Sequence, residues 1–185
     1  DCEYVPNDIR INESGVLLFG TNACGKSTLM KSVGLAIVMA QAGFYVACEN
    51  LSFFPYTQIF TRILNNDNIF RNQSSFMVEM SELRSILMKA DQRSLVLGDE
   101  LCSGTETISA LSIVGSGLHM MAGKRCSYIF TSHLHQLMNI SEVLEIPNLR
   151  VCHMEVTCTE DNTLIYNRKL VEGSGPPVYG LEVCK

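Results

Sequence analysis

The sequence predicts an α/β fold with a mainly parallel central sheet, flanking helices and a C-terminal β-hairpin. Three observations carry that prediction. Short apolar segments alternate with longer segments of helical period, a glycine-rich loop joins the first of these strands to the first helix, and two alternating segments flank a polar turn near the end.

Taken in order, Val16 to Phe19 is an apolar run that stops at Gly20, too short for a helix and suited to a buried parallel strand. Lys26 to Gln41 reads as a helix: Leu29, Val33, Ile37 and Ala40 fall at three- and four-residue steps, and Gly43 stands just past the end. Thr57 to Ile63 reads as a strand and Asn65 to Ser75 as a polar loop without apolar period. From Phe76 the period is helical, with Phe76, Met80, Leu83 and Leu87 on one face and Glu79, Glu82, Arg84 and Lys89 elsewhere. Ser94 to Gly98 and Ser127 to Thr131 are two further buried strands, separated by a helix from Thr107 to Met121. Arg150 to Val156 and Thr163 to Val171 alternate around Glu160-Asp161-Asn162, as the two arms of a hairpin do.

The 185 residues, 46% apolar and 18% charged, are enough for one buried core and few for two, so residues 1–185 are read as one domain. The chain starts at Asp1 rather than Met and reads as a piece of a longer protein. Eight cysteines with no charged-then-apolar leader are read as reduced thiols of an intracellular protein. Cys152 and Cys158, the closest pair, offer no zinc-ligand spacing. No apolar run approaches the roughly 18 residues that span a bilayer, so no membrane partner is expected. A net charge of -5 argues against a surface that grips phosphates along its whole length, and a DNA partner is expected to be held by another part of the protein.

The segment Gly20-Thr21-Asn22-Ala23-Cys24-Gly25-Lys26-Ser27, continued by Thr28, fits the Walker A pattern of P-loop NTPases. Chemistry requires these residue types. Successive backbone N–H groups at a helix N-terminus face the phosphates, and glycine at positions 20 and 25 spares the turn a β-carbon. Lys26 supplies a point charge to the β- and γ-phosphates, and Ser27 a hydroxyl to Mg²⁺. Leu95-Val96-Leu97-Gly98-Asp99-Glu100 is an apolar strand ending in two carboxylates, the Walker B arrangement. Alone, such a pair also reads as a solvated acidic turn. With the P-loop present, Asp99 is assigned to the magnesium shell, from the tip of a neighbouring strand, and Glu100 to the attacking water. Ser132-His133-Leu134-His135 follows another strand end, where a neutral imidazole senses the γ-phosphate or holds water, and His133 is the candidate nearer the strand.

The string Ile59-Phe60-Thr61-Arg62-Ile63, followed by Asn66-Asp67-Asn68-Ile69-Phe70-Arg71-Asn72-Gln73-Ser74-Ser75-Phe76-Met77-Val78-Glu79-Met80, resembles the segment specific to the ATPase domain of the MutS DNA mismatch-repair family. Tyr4-Val5-Pro6-Asn7-Asp8, Asp99-Glu100 with Gly104-Thr105, Ser132-His133 and Tyr179-Gly180-Leu181 extend the likeness over nearly the whole chain. The resemblance implies an ABC-like ATPase fold that binds ATP and Mg²⁺, in a homo- or heterodimer whose nucleotide sites are each completed by the opposite subunit. It further implies that Asn22 orients the γ-phosphate and water, that His133 is a switch histidine, that Tyr4 stacks near the adenine, and that Ser74 and Ser75 reach the partner's nucleotide. Ser74 and Ser75 also read as a polar cap on the Phe76 helix. Mismatched double-stranded DNA would be bound by domains outside this chain, and a downstream repair factor is a further implied partner.

The chain departs from the common MutS pattern in Cys24, where the family usually has glycine, and in Ser103 and Glu106, which replace arginine and serine. The Gly104-Thr105-Glu106-Thr107 form resembles the divergent branch of plant organelles, corals and giant viruses. These substitutions keep a second function open: a nucleotide-gated dimerisation module with little or no hydrolysis, in recombination or another DNA transaction. A relative of SMC or transport ATPases is disfavoured, since a Leu-Ser-Gly-Gly-Gln type signature is missing.

Overall fold

Alternation along the strands sorts the apolar core into two layers. Val16 and Leu18 face one side of the central sheet with Leu95, Leu97 and Ile129, while Leu17 and Phe19 face the other with Val96, Tyr128 and Phe130. The computed structural model describes residues 4–11, 13–63, 75–159 and 163–176, and of Ser75 and Cys158 the backbone. Within them the order is β1 (Gly15–Phe19), α1 (Lys26–Gln41), β2 (Gln58–Arg62), α2 (Ser75–Lys89), β3 (Ser94–Gly98), α3 (Thr107–Gly123) and β4 (Ser127–Ser132). A 3₁₀ turn (His135–Asn139), the single turn α4 (Ser141–Leu144), β5 (Leu149–Cys158) and β6 (Leu164–Glu172) follow.

The strands lie in the order β2-β3-β4-β1-β5-β6. All neighbours are parallel except β5 and β6, which form the antiparallel hairpin that the alternation predicts. Its expected turn at residues 160–162 lies outside the described residues. Met30 and Ile37 of α1 fill the layer on the Val16 side, and Leu83 and Ile86 of α2 with Ala110, Val114 and Leu118 of α3 fill the layer on the Phe19 side. Each of these buried Val, Leu, Ile and Met side chains contributes about 1.5–3 kcal/mol. No helix among the described residues is long and apolar enough to cross a membrane.

Three expectations need correction. Of the α1 stripe Leu29, Val33, Ile37 and Ala40, only Ile37 is buried; Leu29 and Val33 pack half-buried at the side of a face centred on Lys26, Met30, Gly34 and Ile37. Gly34 marks the closest approach to the sheet, because a β-carbon there would stand 2.5 Å from Leu97 Cδ1; a residue without a side chain is invisible to apolar spacing. On α2 the buried positions are Glu79, Leu83 and Ile86, so Glu79, placed off the apolar face by the sequence reading, lies inside. The third concerns β3, which is not beside β1: β4 stands between them. In the paired register Leu18 is opposite Thr131, and Gly98 is opposite Phe130, so Gly20, Thr131 and Asp99 come together at the C-terminal ends of these three strands.

Candidate functional site

The loop from β1 to α1 turns through left-handed backbone at Gly20 (φ 151), Ala23 (φ 64) and Gly25 (φ 107). The two glycines are needed for different reasons. A β-carbon on Gly20 would stand 2.6 Å from the Cys24 Sγ, whereas one on Gly25 would meet no heavy atom nearer than Met154 Cε at 3.7 Å. Crowding and backbone conformation together require the first, and backbone conformation alone the second. Cys24, fully buried, occupies the space that Gly20 leaves open.

Helix α1 begins on Gly25 with no side-chain cap, so its first N–H groups point into a cavity of about 430 Å³. Residues 21–23 and 25–28 line it together with Asp99 and Glu100. An uncapped helix start and its dipole favour an anion there. The Thr21 hydroxyl is buried with no hydrogen-bond partner among the described residues. Lys26 is 4% exposed and donates to the carbonyls of Gly20 (2.7 Å) and Thr21 (2.9 Å), and its ammonium stands 3.3 Å from Glu100 Oε1. All three of its protons therefore have partners. These groups fit a polyphosphate, with Lys26 exchanging or sharing Glu100.

Asp99, 6% exposed, accepts hydrogen bonds on Oδ1 from Ser27 Oγ (2.8 Å) and Thr131 Oγ1 (2.7 Å). A hard oxygen pair from Ser27 and Asp99 suits a divalent cation that keeps several waters. Thr131 in turn accepts the Glu100 N–H at 2.9 Å. The turn after β3 carries two left-handed residues that are not glycine, Glu100 (φ 45) and Cys102 (φ 62), a conformation costing about 1–2 kcal/mol each. Cys102 N–H donates to the buried Glu79 Oε1 at 2.8 Å. Burial foremost, then the Glu79 charge, pushes the Cys102 thiol up to about 11, which keeps it protonated and unreactive at neutral pH.

Structure and expectation meet unevenly across the other candidates. Asn22 and Thr28 line the cavity. His133 is exposed and lines a separate hollow of about 380 Å³ with His135, Gln136, Ser174 and Gly175. His135, ranked second by the sequence, stacks on Phe19 at the base of the P-loop, ring centroids 4.8 Å apart. Burial, and then His133, His153 and Lys26, hold its ring below the usual histidine range. Tyr4 is 76% exposed and does not line the cavity; its segment is tied to β6, where Asn7 accepts from Leu170 N and donates to Arg168 O. Ser74, the 66–73 string and Tyr179-Gly180-Leu181 lie outside the described residues, and of Ser75 only its place at the start of α2 is described. Glu106 is the extended N-cap residue of α3 and accepts from Ser109 Oγ at 2.7 Å, a favourable place for a carboxylate at a helix start.

Thr131 and Glu79 escaped the sequence reading. Thr131 had one signal, a hydroxyl residue at the end of a strand beside the assigned Ser132-His133. Glu79 had its spacing from Leu83 and Ile86, which places it on their side of α2 in spite of its charge.

Comparison with known proteins agrees with this geometry. The family model described as MutS domain V matches residues 16–185. The mutS homolog L359 of Acanthamoeba polyphaga mimivirus is 48% identical over 176 residues, 93% of this chain and 16% of that protein. The mitochondrial DNA mismatch repair protein mutS homolog of Sarcophyton glaucum is 39% identical over 98% of this chain and 18% of its own length. The DNA mismatch repair protein MutS of Clostridium perfringens is 37% identical over 99% of this chain and 20% of its own length. The chain thus spans about a fifth or less of these relatives. A giant-virus and a coral mitochondrial homologue both match it, as the Gly104-Thr105-Glu106-Thr107 form leads one to expect. With its Walker A loop, its acidic strand tip and its mainly parallel sheet, the chain belongs to the MutS family and carries that family's P-loop ATPase domain.

Proposed function

We propose that this chain binds MgATP at the P-loop and hydrolyses it, as the ATPase domain of a MutS-like mismatch-repair protein. The observation that carries this reading is the meeting, in one cavity, of an uncapped helix start, the buried Lys26 ammonium and the Asp99–Glu100 tip. The α1 N–H groups and Lys26 bind the phosphates, Ser27 and Asp99 hold the magnesium, and Glu100 orients and polarises the attacking water. A magnesium ion held there by Ser27 and Asp99 would supply charge neutralisation at the phosphates. Asn22, lining the same cavity, orients the γ-phosphate, and His133, just after β4, senses it. Tyr4 and Ser74-Ser75 are proposed contacts for the adenine and for the partner's nucleotide. ATP closes a homo- or heterodimer through this domain, and closure is coupled to mismatched DNA held by other domains of an intracellular protein. The relatives' names, which specify DNA mismatch repair, support the coupling.

In the full-length protein, Lys26→Ala should abolish ATP binding or turnover, measured by nucleotide affinity and phosphate release; undiminished turnover overturns the reading. A second reading is a nucleotide-gated dimerisation module with little hydrolysis. It is favoured by the Lys26–Glu100 pair, which engages the proposed water-orienting carboxylate. Tight ATP binding with no phosphate release selects it.

A further inference from the structure

The turn that presents Glu100 is held only loosely by its own backbone. Its internal hydrogen bonds are long, 3.3 Å from Ser103 N to Glu100 O and 3.4 Å from Thr105 N to Cys102 O. Side-chain bonds to the same turn are shorter, 2.9 Å from Glu100 N to Thr131 Oγ1 and 2.8 Å from Cys102 N to Glu79 Oε1. Those two N–H groups belong to the two left-handed residues of the turn. For a non-glycine residue that conformation carries a cost, which its surroundings can offset. The supporting groups come from opposite sides: Thr131 from β4, 1% exposed, and Glu79 from α2, 5% exposed.

We propose that Glu79 and Thr131 are positioning residues for hydrolysis, pinning the turn at its two left-handed amides and so fixing where the Glu100 carboxylate stands. The proposal rests on Glu100 orienting the attacking water. Thr131 has one proton, which goes to Asp99 Oδ1, and this leaves a lone pair aimed at the Glu100 N–H. One hydroxyl therefore ties the position of the metal-holding carboxylate to that of the water-orienting residue. Glu79 contributes a buried carboxylate, whose desolvation is offset by a charge-assisted bond to a backbone N–H. Neither residue lines the cavity: Glu79 acts through the turn, and Thr131 through the turn and through Asp99.

The test uses the full-length protein. Thr131→Val removes the hydroxyl at nearly constant volume, and Glu79→Ala removes the acceptor; Thr131→Ser and Glu79→Gln return an oxygen to each place. Thr131→Val and Glu79→Ala should each lower kcat by about 10- to 100-fold, the range seen when the support of a reacting group is removed. The Kd for a non-hydrolysable ATP analogue should stay within about threefold, and Thr131→Ser and Glu79→Gln should recover most of the loss. In nucleotide-free protein, amide hydrogen exchange in residues 99–105 should rise about tenfold or more while β1 and α1 stay protected. Unchanged kcat overturns the proposal, as does a loss of Kd equal to the loss of kcat with exchange raised throughout the domain. Should Glu79→Ala not fold, the Thr131 pair decides alone. Glu100→Gln separates the two levels: full turnover in that variant overturns the role of Glu100 and the proposal with it. Loss of turnover in Glu100→Gln beside full turnover in Thr131→Val and Glu79→Ala overturns the proposal alone.

Discussion

The P-loop and the turn after β3 meet in one cavity and solve the same backbone problem differently. The P-loop enters left-handed conformation mainly through glycine, at Gly20 and Gly25, where no β-carbon opposes it. The acidic turn enters it through Glu100 and Cys102, and long-range hydrogen bonds from Thr131 and Glu79 hold it there. One loop carries its shape in its composition, and the other borrows its shape from β4 and α2. Local composition therefore specifies the phosphate cradle, while the placement of the water-orienting group depends on the whole fold.

The largest expected effect breaks the glycine side of this contrast. Gly20→Ala should destabilise the domain by about 1–3 kcal/mol through overpacking against the Cys24 Sγ, and weaken nucleotide binding, both read by thermal melts with and without ATP. Adding Cys24→Gly should recover the part of that loss due to crowding and leave the strain of the left-handed backbone; a double variant no better than Gly20→Ala would show that backbone conformation alone controls the position. A smaller effect sharpens the other side. Arg168, exposed on β6, is also left-handed (φ 56), near the place where β5 and β6 shift register. Arg168→Gly should raise stability by about 0.5–1 kcal/mol in denaturant unfolding, by removing the side-chain penalty of that conformation.

The smallest effect asks whether the P-loop also leans on tertiary support. His135, stacked on Phe19, titrates below its ordinary value because burial disfavours the charged ring. Between its folded and unfolded pKa values the unfolded chain binds more protons, so this stability is present above about 6.5 and is lost as pH falls toward the folded value. The melting temperature should therefore drop on acidification below pH 6.5, and His135→Phe, which keeps the stack, should flatten that slope. An unchanged slope would remove His135 from the support of the loop.

The same contrast explains what could be read from sequence. Strand β3 at Ser94–Gly98 and helix α1 at Lys26–Gln41 have the bounds that their patterns predict, because apolar runs and glycine punctuation are local signals. The P-loop was legible for the same reason. Strand order was not: nothing near Asp99 in sequence tells that β4 lies between β1 and β3. Thr131 and Glu79 act at 31 and 23 positions from the amides they bind, and charge sent Glu79 to the wrong face. The short helical turns at His135–Asn139 and Ser141–Leu144 were too brief to show a period.

The pairing of Lys26 with Glu100 turns nucleotide capture into a contest between anions. A phosphate arriving at the ammonium meets a cation already neutralised from within, so the affinity it gains is the difference between two attractions rather than the whole of one. Neutralising the resident carboxylate, as in Glu100→Gln, should then tighten nucleotide binding while it slows the chemistry, and the same side chain would set both how firmly the domain holds its fuel and how quickly it burns it.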